Sequence, residues 1–260
     1  MSVTAHAPGS VTIIFAPQDG DSSLGVSFAT ADGVAATVES TRESSIYLDG
    51  HPAQVEPVTG VLDRLGVTAT VRLDTEVPIG CGFGASGAAT LATALAATER
   101  FDLGHDREVL VQMSHRAEVA AGTGLGDVFI QDRGGLMWNT GDGSKRTART
   151  DRIEYESFGG ITTAAVLGDE STMAQIKEAG REALSTVDPE GPIPDLFDVA
   201  WAFAGQTGLA TERVADAVET VQNAGGAATM AMLGETVVAT GTDGVLDHET
   251  HITPEGASLQ

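Results

Sequence analysis

The segment 78–89 joins a glycine-rich turn directly to a run of good helix formers. Glycines such as Gly80, Gly82 and Gly84 lack a Cβ and adopt positive φ at little cost, so the backbone can curl around a small ligand. A helix is predicted at 85–98, and the first N–H groups of a helix have no partners within it. Together with the positive end of the helix dipole, these N–H groups favour an anion without any lysine. The segment therefore predicts a phosphate-binding loop, the alternative being a glycine-rich helix start without a ligand.

Two other glycine motifs fit this segment less well. Gly82, Gly84 and Gly87 match the G-x-G-x-x-G of dinucleotide-binding folds. That fold needs a strand immediately before the loop and a second strand, ending in an acid, about 20 residues later. Here residues 74–78 separate the loop from the preceding predicted strand, and a second predicted helix at 107–121 follows the first. A Walker loop is excluded because neither of the two lysines of the chain lies near the turn.

The charge balance restricts the partners of the chain. Its 37 acidic and 14 basic residues give a formal charge of −23. This charge repels nucleic acids and anionic membranes, so neither is expected as a partner. Scattered acids with almost no lysine indicate adaptation to high intracellular salt, because the Debye length falls to ~3 Å at 1 M and self-repulsion is then screened. An ordinary acidic protein is the alternative.

Length, apolar runs and cysteine content give three further expectations. No apolar run reaches the ~18 residues of a membrane span, and the N-terminus lacks a basic region followed by an apolar one, so we expect a cytoplasmic protein. The single cysteine, Cys81, excludes an internal disulfide and is interpreted as a small buried residue rather than a reactive thiol. A chain of 260 residues can bury a large core, as one domain or as two packed lobes.

Apolar periodicity and turn residues predict a strand-rich beginning followed by helices. The predicted elements of this half are strands at 11–16, 25–31, 34–39, 45–48 and 67–73, helices at 85–98 and 107–121, and strands at 128–131 and 135–138. A polar, turn-rich stretch at 139–150 indicates a surface excursion. We expect a lobe boundary there, which divides the chain into lobes of residues 1–150 and 151–260.

The pattern of strands and helices restarts after that boundary. The predicted elements are a strand at 160–167, helices at 172–185, 196–207 and 211–223, and strands at 227–233 and 235–239. The last stretch, 251–260, is polar and contains a proline, so it is predicted to be a mobile tail.

Three segments, in this order, resemble motifs of the GHMP kinase superfamily. Gly82-Phe-Gly-Ala-Ser-Gly-Ala88 is similar to its second motif, roughly P-x-x-x-G-L-G-S-S-A. Residues 117–128 read A-E-V-A-A-G-T-G-L-G-D-V, and residues 224–234, A-G-G-A-A-T-M-A-M-L-G, lie where the superfamily keeps its third motif. The motifs P-x-G-x-G-F-G-x-S-G, A-E-V-x-x-x-T-G-L-G-D-V and A-M-L-G resemble those of archaeal pantoate kinases, including haloarchaeal ones. The resemblance spans almost the whole chain.

The resemblance implies an α+β, two-lobed GHMP kinase fold, with an N-terminal lobe like ribosomal protein S5 and a ferredoxin-like C-terminal lobe. It implies a homodimeric kinase that uses ATP and Mg²⁺ to phosphorylate the primary hydroxyl of pantoate, giving 4-phosphopantoate for coenzyme A synthesis. One alternative is a kinase for another small hydroxy compound, such as mevalonate or homoserine. Another is a nucleotide-binding regulator, although the acidic residues assigned below favour catalysis.

The motifs assign residues to the nucleotide side of the reaction. By resemblance, the ATP-binding residues are Pro78, Gly80, Gly82, Gly84, Ala85, Ser86, Gly87 and Ala88. Ser86 and Glu118 resemble the ligands of the metal, since Mg²⁺ favours one or two carboxylates together with phosphates and water. Asp127 resembles the acid that accepts a proton from the substrate hydroxyl or orients it. The alternatives are a polar residue at a helix start for Ser86 and solvated acids for Glu118 and Asp127.

The acceptor side departs from the family pattern. A carboxylate substrate needs a cation or a set of N–H groups, and Arg133, soon after Asp127, is the first candidate. The N-terminal segment of the family resembles G-S-R-G-A-G. At the corresponding positions this chain has Ser23, which keeps the serine, and Leu24, which replaces the arginine. Gly225 and Gly226 of the third motif are also assigned to the substrate. Many members have a histidine at the position of Ser10.

Overall fold

The computed structural model of the chain describes residues 1–18, 23–124, 126–161, 166 and 168–260. The strands are β1 (Ser2–Pro17), β2 (Ser23–Ser40), β3 (Ser45–Leu48), β4 (His51–Ala53), β5 (Ala69–Thr75), β6 (Leu136–Asn139), β7 (Lys145–Thr147), β8 (Arg152–Gly160), β9 (Ala227–Ala231), β10 (Gly234–Thr240), β11 (His248–His251) and β12 (Ser258–Leu259). The helices are α1 (Glu56–Leu65), α2 (Ala85–Phe101), α3 (Arg107–Ala121), α4 (Asp127–Arg133), α5 (Glu170–Thr186), α6 (Ile193–Thr207) and α7 (Glu212–Asn223).

The first sheet has the strand order β12-β1-β2-β5-β3-β4, and β6 pairs with β2 and with β7. Its centre is the long antiparallel pair of β1 and β2. The sequence predicted two strands where β2 is continuous, because Asp32 and Gly33 read as turn residues. Instead Gly33 lies inside the strand, where a Cβ would overlap the Ala7 carbonyl oxygen. Gly33 therefore reflects a close approach of two strands rather than a turn.

Helix α2 lies at the centre of the N-terminal half, against β1, β2, α1 and α3. Its sequence is mostly alanine, threonine and glycine, and 12 of its 17 residues are buried. Small side chains let a helix approach a sheet and two other helices at once without leaving voids. The predicted helices at 85–98 and 107–121 are confirmed as α2 and α3.

The second sheet is antiparallel, in the order β11-β8-β10-β9, and α6 and α7 pack on β9 and β10. Helix α5 packs on β1 of the first sheet, where a Cβ on Gly180 would overlap the Phe15 carbonyl oxygen. The two sheets share one continuous apolar core, which contains Phe15, Phe28 and Phe203. The predicted α+β class and the three helices of this half are confirmed.

Sheet membership changes between β7 and β8, close to the lobe boundary predicted at residue 150. The last strand is an exception, because β12 returns to pair with β1. The division into lobes 1–150 and 151–260 stays a prediction. Among the described helices, none has both the length and the apolar character that crossing a bilayer would require.

The structure corrects two further predicted elements. Residues 128–131, predicted as a strand, belong to helix α4, which begins at Asp127. The predicted mobile tail at 251–260 is ordered: Leu259 pairs with Ala5 of β1, and the Ala257 N–H donates to the Gln131 carbonyl oxygen at 2.8 Å. Contacts with distant parts of the chain hold both segments, and a local sequence pattern carries no information about such contacts. The strand predicted at 160–167 falls mainly outside the described residues, and α1 and β8 were not predicted.

Candidate active site

A cavity of about 890 Å³ opens between the two sheets. The glycine turn, the start of α2 and the start of α4 form one side of it, and β2 and β6 form another. Residues of β1 and β5, the beginning of α1, the segment 121–124 and the turn between β9 and β10 also line it. The volume lies within the range of sites for small molecules and cofactors.

The glycine turn takes the backbone conformation that the sequence predicted. Gly80, Gly82 and Gly84 have φ of +73°, +88° and +60°. A Cβ on Gly82 would lie 3.1 Å from the Met232 carbonyl oxygen, and one on Gly84 would overlap the Ser10 hydroxyl oxygen. The turn is thus held between β1 and the β9–β10 turn, and only glycine fits these approaches.

The predicted phosphate-binding residues divide into two groups. Gly80, Gly82, Gly84, Ala85 and Ser86 line the cavity, so the unpaired N–H groups at the start of α2 face it. The other predicted residues, Pro78, Gly87 and Ala88, are not among the cavity-lining residues that the structure describes. The N–H of Ala88 donates to the Gly84 carbonyl oxygen at 3.0 Å, because the helix has already begun there.

Glu118 lies on α3, and its side chain is only 3% exposed. Ser86 and Thr90 donate their hydroxyls to Oε1 at 3.0 and 2.7 Å, and Thr123 donates to Oε2 at 2.7 Å. Burial raises the pKa of the Glu118 carboxyl above its ordinary value, although the three hydroxyl donors lower it, and the Asp127 carboxylate adds a smaller upward effect. A solvated helix acid has none of these features, so that alternative is wrong.

The oxygens of Ser86 and Glu118 fit a magnesium ion. Neighbouring ligands of an octahedral Mg²⁺, each 2.0–2.1 Å from the metal, are about 2.9 Å apart. In the structure the 3.0 Å between Ser86 Oγ and Glu118 Oε1 is a hydrogen bond, which a metal ion bound by both oxygens would replace. The described residues hold no group of three or more His, Cys, Asp or Glu side chains arranged for a metal. Further ligands would therefore come from nucleotide phosphates and water, as is usual for Mg²⁺.

Asp127 is the first residue of α4, not a residue at the mouth of a strand as the sequence suggested. Its Oδ1 accepts the Ser10 hydroxyl at 3.0 Å. Burial raises the pKa of the Asp127 carboxyl, and the Ser10 hydrogen bond lowers it. A carboxylate at this end of a helix is also favoured by the helix dipole.

Asp127 and Glu118 face each other across Gly124. A Cβ built on Gly124 would lie 3.2 Å from Asp127 Oδ2 and 3.4 Å from Glu118 Oε2. The two oxygens are therefore no farther apart than the sum of these distances. The structure thus brings together the two acids and the glycine turn that the sequence assigned to one site.

Three of the predicted acceptor residues lie elsewhere. Arg133 is exposed at the far end of α4, about 9 Å along the helix axis from Asp127, and is not among the lining residues described. Arg133 was assigned because it follows Asp127 closely in the sequence, but the helix places the two residues at opposite ends of α4. Gly225 and Gly226 lie just before β9. The cavity is at the opposite end of this strand, where Met232 lines it. Of the predicted acceptor residues, the structure places only Ser23 at the cavity.

A wall of uncharged polar side chains replaces the predicted cation. Thr12 of β1, Ser23 and Ser27 of β2, and Asn139 of β6 line the cavity, and the hydroxyl oxygens of Thr12 and Ser27 are 2.8 Å apart. Sequence reasoning missed all of these except Ser23. The signal was the alternation of small residues, Ser23, Gly25 and Ser27, which places them on one face of a strand.

The lining residues that the structure describes include no lysine or arginine. The sequences of the undescribed residues, 19–22, 125, 162–165 and 167, contain none either. The groups that can attract an anion here are therefore backbone N–H groups, the start of α2, uncharged side-chain donors and any bound metal ion.

Comparisons with known proteins agree with this geometry. The model of the family "GHMP kinases N terminal domain" matches residues 55–135. The chain is 30% identical to a pantoate kinase of Thermococcus kodakarensis over 234 residues, covering 80% of this chain and 77% of that protein. It is 26% identical to a pantoate kinase of Methanospirillum hungatei over 257 residues, covering 92% and 87%. A solved "phosphotransferase related to CoA biosynthesis pathway" superposes with a TM-score of 0.83 at 22% identity, covering 100% of this chain and 99% of that one.

Proposed function

We propose that this chain, which belongs to the GHMP kinase family, transfers the γ-phosphate of ATP to the primary hydroxyl of pantoate and so forms 4-phosphopantoate. The predicted two-lobed GHMP kinase fold is confirmed by the structural match. The observation that carries the proposal is the meeting of an anion-binding glycine turn with two buried carboxylates in one cavity. Phosphoryl transfer needs this combination, because most of its catalysis is positioning and charge stabilisation.

The nucleotide would bind with its phosphates at the glycine turn. Gly80, Gly82 and Gly84 leave room for the phosphate oxygens, and the N–H groups of Ala85 and Ser86 face them. Ser86 and Glu118 would hold Mg²⁺, which would neutralise negative charge on the phosphates during transfer. Thr90 and Thr123 orient the Glu118 carboxylate for this role.

Asp127 would receive the proton of the acceptor hydroxyl. Its Oδ1 is engaged by Ser10, so we assign the proton to Oδ2. Burial brings the pKa of this carboxyl upward, toward the value of a useful base near neutral pH. The oxygen that loses its proton then attacks the γ-phosphorus, and ADP departs with the electrons of the broken bond.

The acceptor would lie against the polar wall of Thr12, Ser23, Ser27 and Asn139. We propose that these hydroxyl and amide groups bind the pantoate carboxylate and secondary hydroxyl in place of an arginine. Met137 and Trp138 beside them offer apolar surface for the dimethyl carbon of pantoate.

Homoserine is the second candidate acceptor. It carries an ammonium group, which a cavity without lysine or arginine, and with Glu56 and Asp127 on its lining, can accommodate. The polar wall can bind its carboxylate in the same way as that of pantoate.

We also propose the setting in which the enzyme works. The charge of −23 and the scarcity of lysine support function at high ionic strength in the cytoplasm, of the kind found in haloarchaea. The family resemblance supports a homodimer and a role in coenzyme A synthesis.

The test is ADP release from ATP with Mg²⁺ in molar KCl, on addition of pantoate, homoserine or mevalonate separately, followed by mass detection of the product. Release that depends on pantoate, with a product heavier by one phosphate, is the expected result. Release with homoserine instead would replace pantoate by the second candidate. Asp127→Asn is the matched control for the acceptor-dependent signal. Absence of ADP release with all three acceptors, in folded protein that binds ATP, would refute the proposal and favour a nucleotide-binding regulator.

A further inference from the structure

Gln131 links the two halves of the candidate site. It lies one turn after Asp127 on α4, so the two side chains share a face of the helix. Its side chain is 0% exposed. The amide nitrogen Nε2 is 2.7 Å from the Gly84 carbonyl oxygen and 3.2 Å from Ser10 Oγ. One amide group therefore contacts the end of the glycine turn and the hydroxyl that binds Asp127.

The hydrogen bonds around this amide can run in only one direction. A carbonyl oxygen only accepts, so the amide atom that faces Gly84 must be the nitrogen. Both hydrogens of the amide then serve as donors, and Ser10 Oγ accepts one of them. A serine hydroxyl has one hydrogen, which is left to point to Asp127 Oδ1.

We propose that Gln131 is a positioning residue, which fixes the Ser10 hydroxyl toward Asp127 and the Gly84 carbonyl at the end of the glycine turn. This inference rests on the proposed function, since it concerns how the base and the phosphate-binding turn keep one geometry. Gln131 acts through Ser10 on the base and through Gly84 on the nucleotide.

Two observations distinguish this role from simple packing. The Oε1 atom of Gln131 is buried and has no hydrogen-bond partner among the described residues, a loss of stability that an apolar side chain of the same size would avoid. The glycine turn also leaves space for the amide: a Cβ would lie 2.7 Å from Oε1 if built on Gly87, and 2.8 Å from Nε2 if built on Gly84. Both polar atoms of the amide thus lie against the backbone of the glycine turn and the start of α2.

The test compares Gln131→Met, which keeps the volume and removes both donors, with Ser10→Ala and with the double variant. Ser10→Ala is expected to lower kcat roughly tenfold and to leave the KM for ATP unchanged. Gln131→Met is expected to lower kcat by a similar factor and, through Gly84, to raise the KM for ATP several-fold. The kcat of the double variant should be no lower than that of Gln131→Met, because both changes break the same connection, from Gln131 through the Ser10 hydroxyl to Asp127.

Multiplied effects on kcat in the double variant would overturn the inference. So would a Gln131→Met enzyme with unchanged kcat and ATP affinity. If Gln131→Met does not fold, Gln131→Asn, which shortens the reach of the amide, replaces it in the same cycle.

Binding of an ATP analogue, measured without any acceptor, separates this inference from the proposed function. Gln131→Met should weaken binding several-fold, and Ser10→Ala should not. This comparison applies even if the unaltered protein phosphorylates none of the acceptors, and equal binding by both variants would overturn the inference.

Discussion

Two glycines of the same turn allow a stability prediction with an internal control. Gly80 and Gly84 both have positive φ, +73° and +60°, so alanine at either position meets the left-handed penalty of about 1–2 kcal/mol. No described heavy atom lies within 4 Å of a Cβ built on Gly80. A Cβ on Gly84, in contrast, would overlap Ser10 Oγ and lie 2.8 Å from Gln131 Nε2.

The two substitutions should therefore differ by the cost of overpacking. Such overpacking typically costs about 1–3 kcal/mol, because well-packed neighbours must shift. We expect the free energy of unfolding to fall by about 1–2 kcal/mol for Gly80→Ala and by about 2–5 kcal/mol for Gly84→Ala. The shifted neighbours of Gly84 include the hydroxyl that binds Asp127, so its alanine variant should also lose the larger part of kcat.

Urea unfolding at fixed high salt, followed by intrinsic fluorescence, measures both free energies, and the same preparations are assayed for turnover. Equal m-values would show that the variants unfold to the same extent. Equal losses of stability for the two variants, or a larger loss for Gly80→Ala, would refute the reasoning about the approach of Ser10 and Gln131 to the turn.

Four further predictions follow from the site. Asp127→Asn should lower kcat by roughly 10²-fold or more with ATP binding retained, as for the loss of a general base, and near-normal turnover would remove Asp127 from the mechanism. Glu118→Ala should raise the Mg²⁺ concentration needed for half-maximal activity, whereas an unchanged magnesium titration would contradict the ligand assignment. Because burial raises the pKa of Asp127 and the base must be ionised, kcat should fall as the pH drops through that raised pKa. Ser10→Ala removes a hydrogen bond that lowers this pKa, so the acid limb of the kcat profile should move to higher pH. A shift of the limb to lower pH would contradict this argument. Because the cavity has no lysine or arginine, the KM for ATP should decrease as KCl rises from about 0.1 to 1 M. Over this range the Debye length falls from ~10 to ~3 Å, which screens the repulsion between the acidic chain and ATP. An increase in the KM for ATP would point to a cationic site.

The sequence predicted the longer helices well: a run of good helix formers identified α2, and apolar residues at helical spacing identified the helices of the C-terminal half. It also identified Glu118 and Asp127 as partners of the glycine turn, but through resemblance to a family rather than through local pattern. The short segment 128–131 was assigned to the wrong element, since its Val, Phe and Ile residues suit a buried strand as well as a helix turn.

Other parts of the site depend on contacts between segments far apart in the chain. Ser10 and Gln131 are 121 residues apart, and no sequence pattern indicates that they form a hydrogen bond. The order of the segment 251–260 also comes from distant partners, such as Ala5 and Gln131. Propensity describes neighbours along the chain, so it cannot indicate such partners.

The pairing of β12 with β1 has a consequence for how the enzyme is made. A ribosome adds about 5–20 residues per second, so roughly 10 to 50 s pass between the emergence of β1 and that of β12. Until then one edge of β1 lacks its neighbour, and the carbonyl of Gln131 lacks the Ala257 N–H. The nascent N-terminal half thus exposes a strand edge that other nascent chains can join. The first sheet is therefore completed only when β12 has left the exit tunnel.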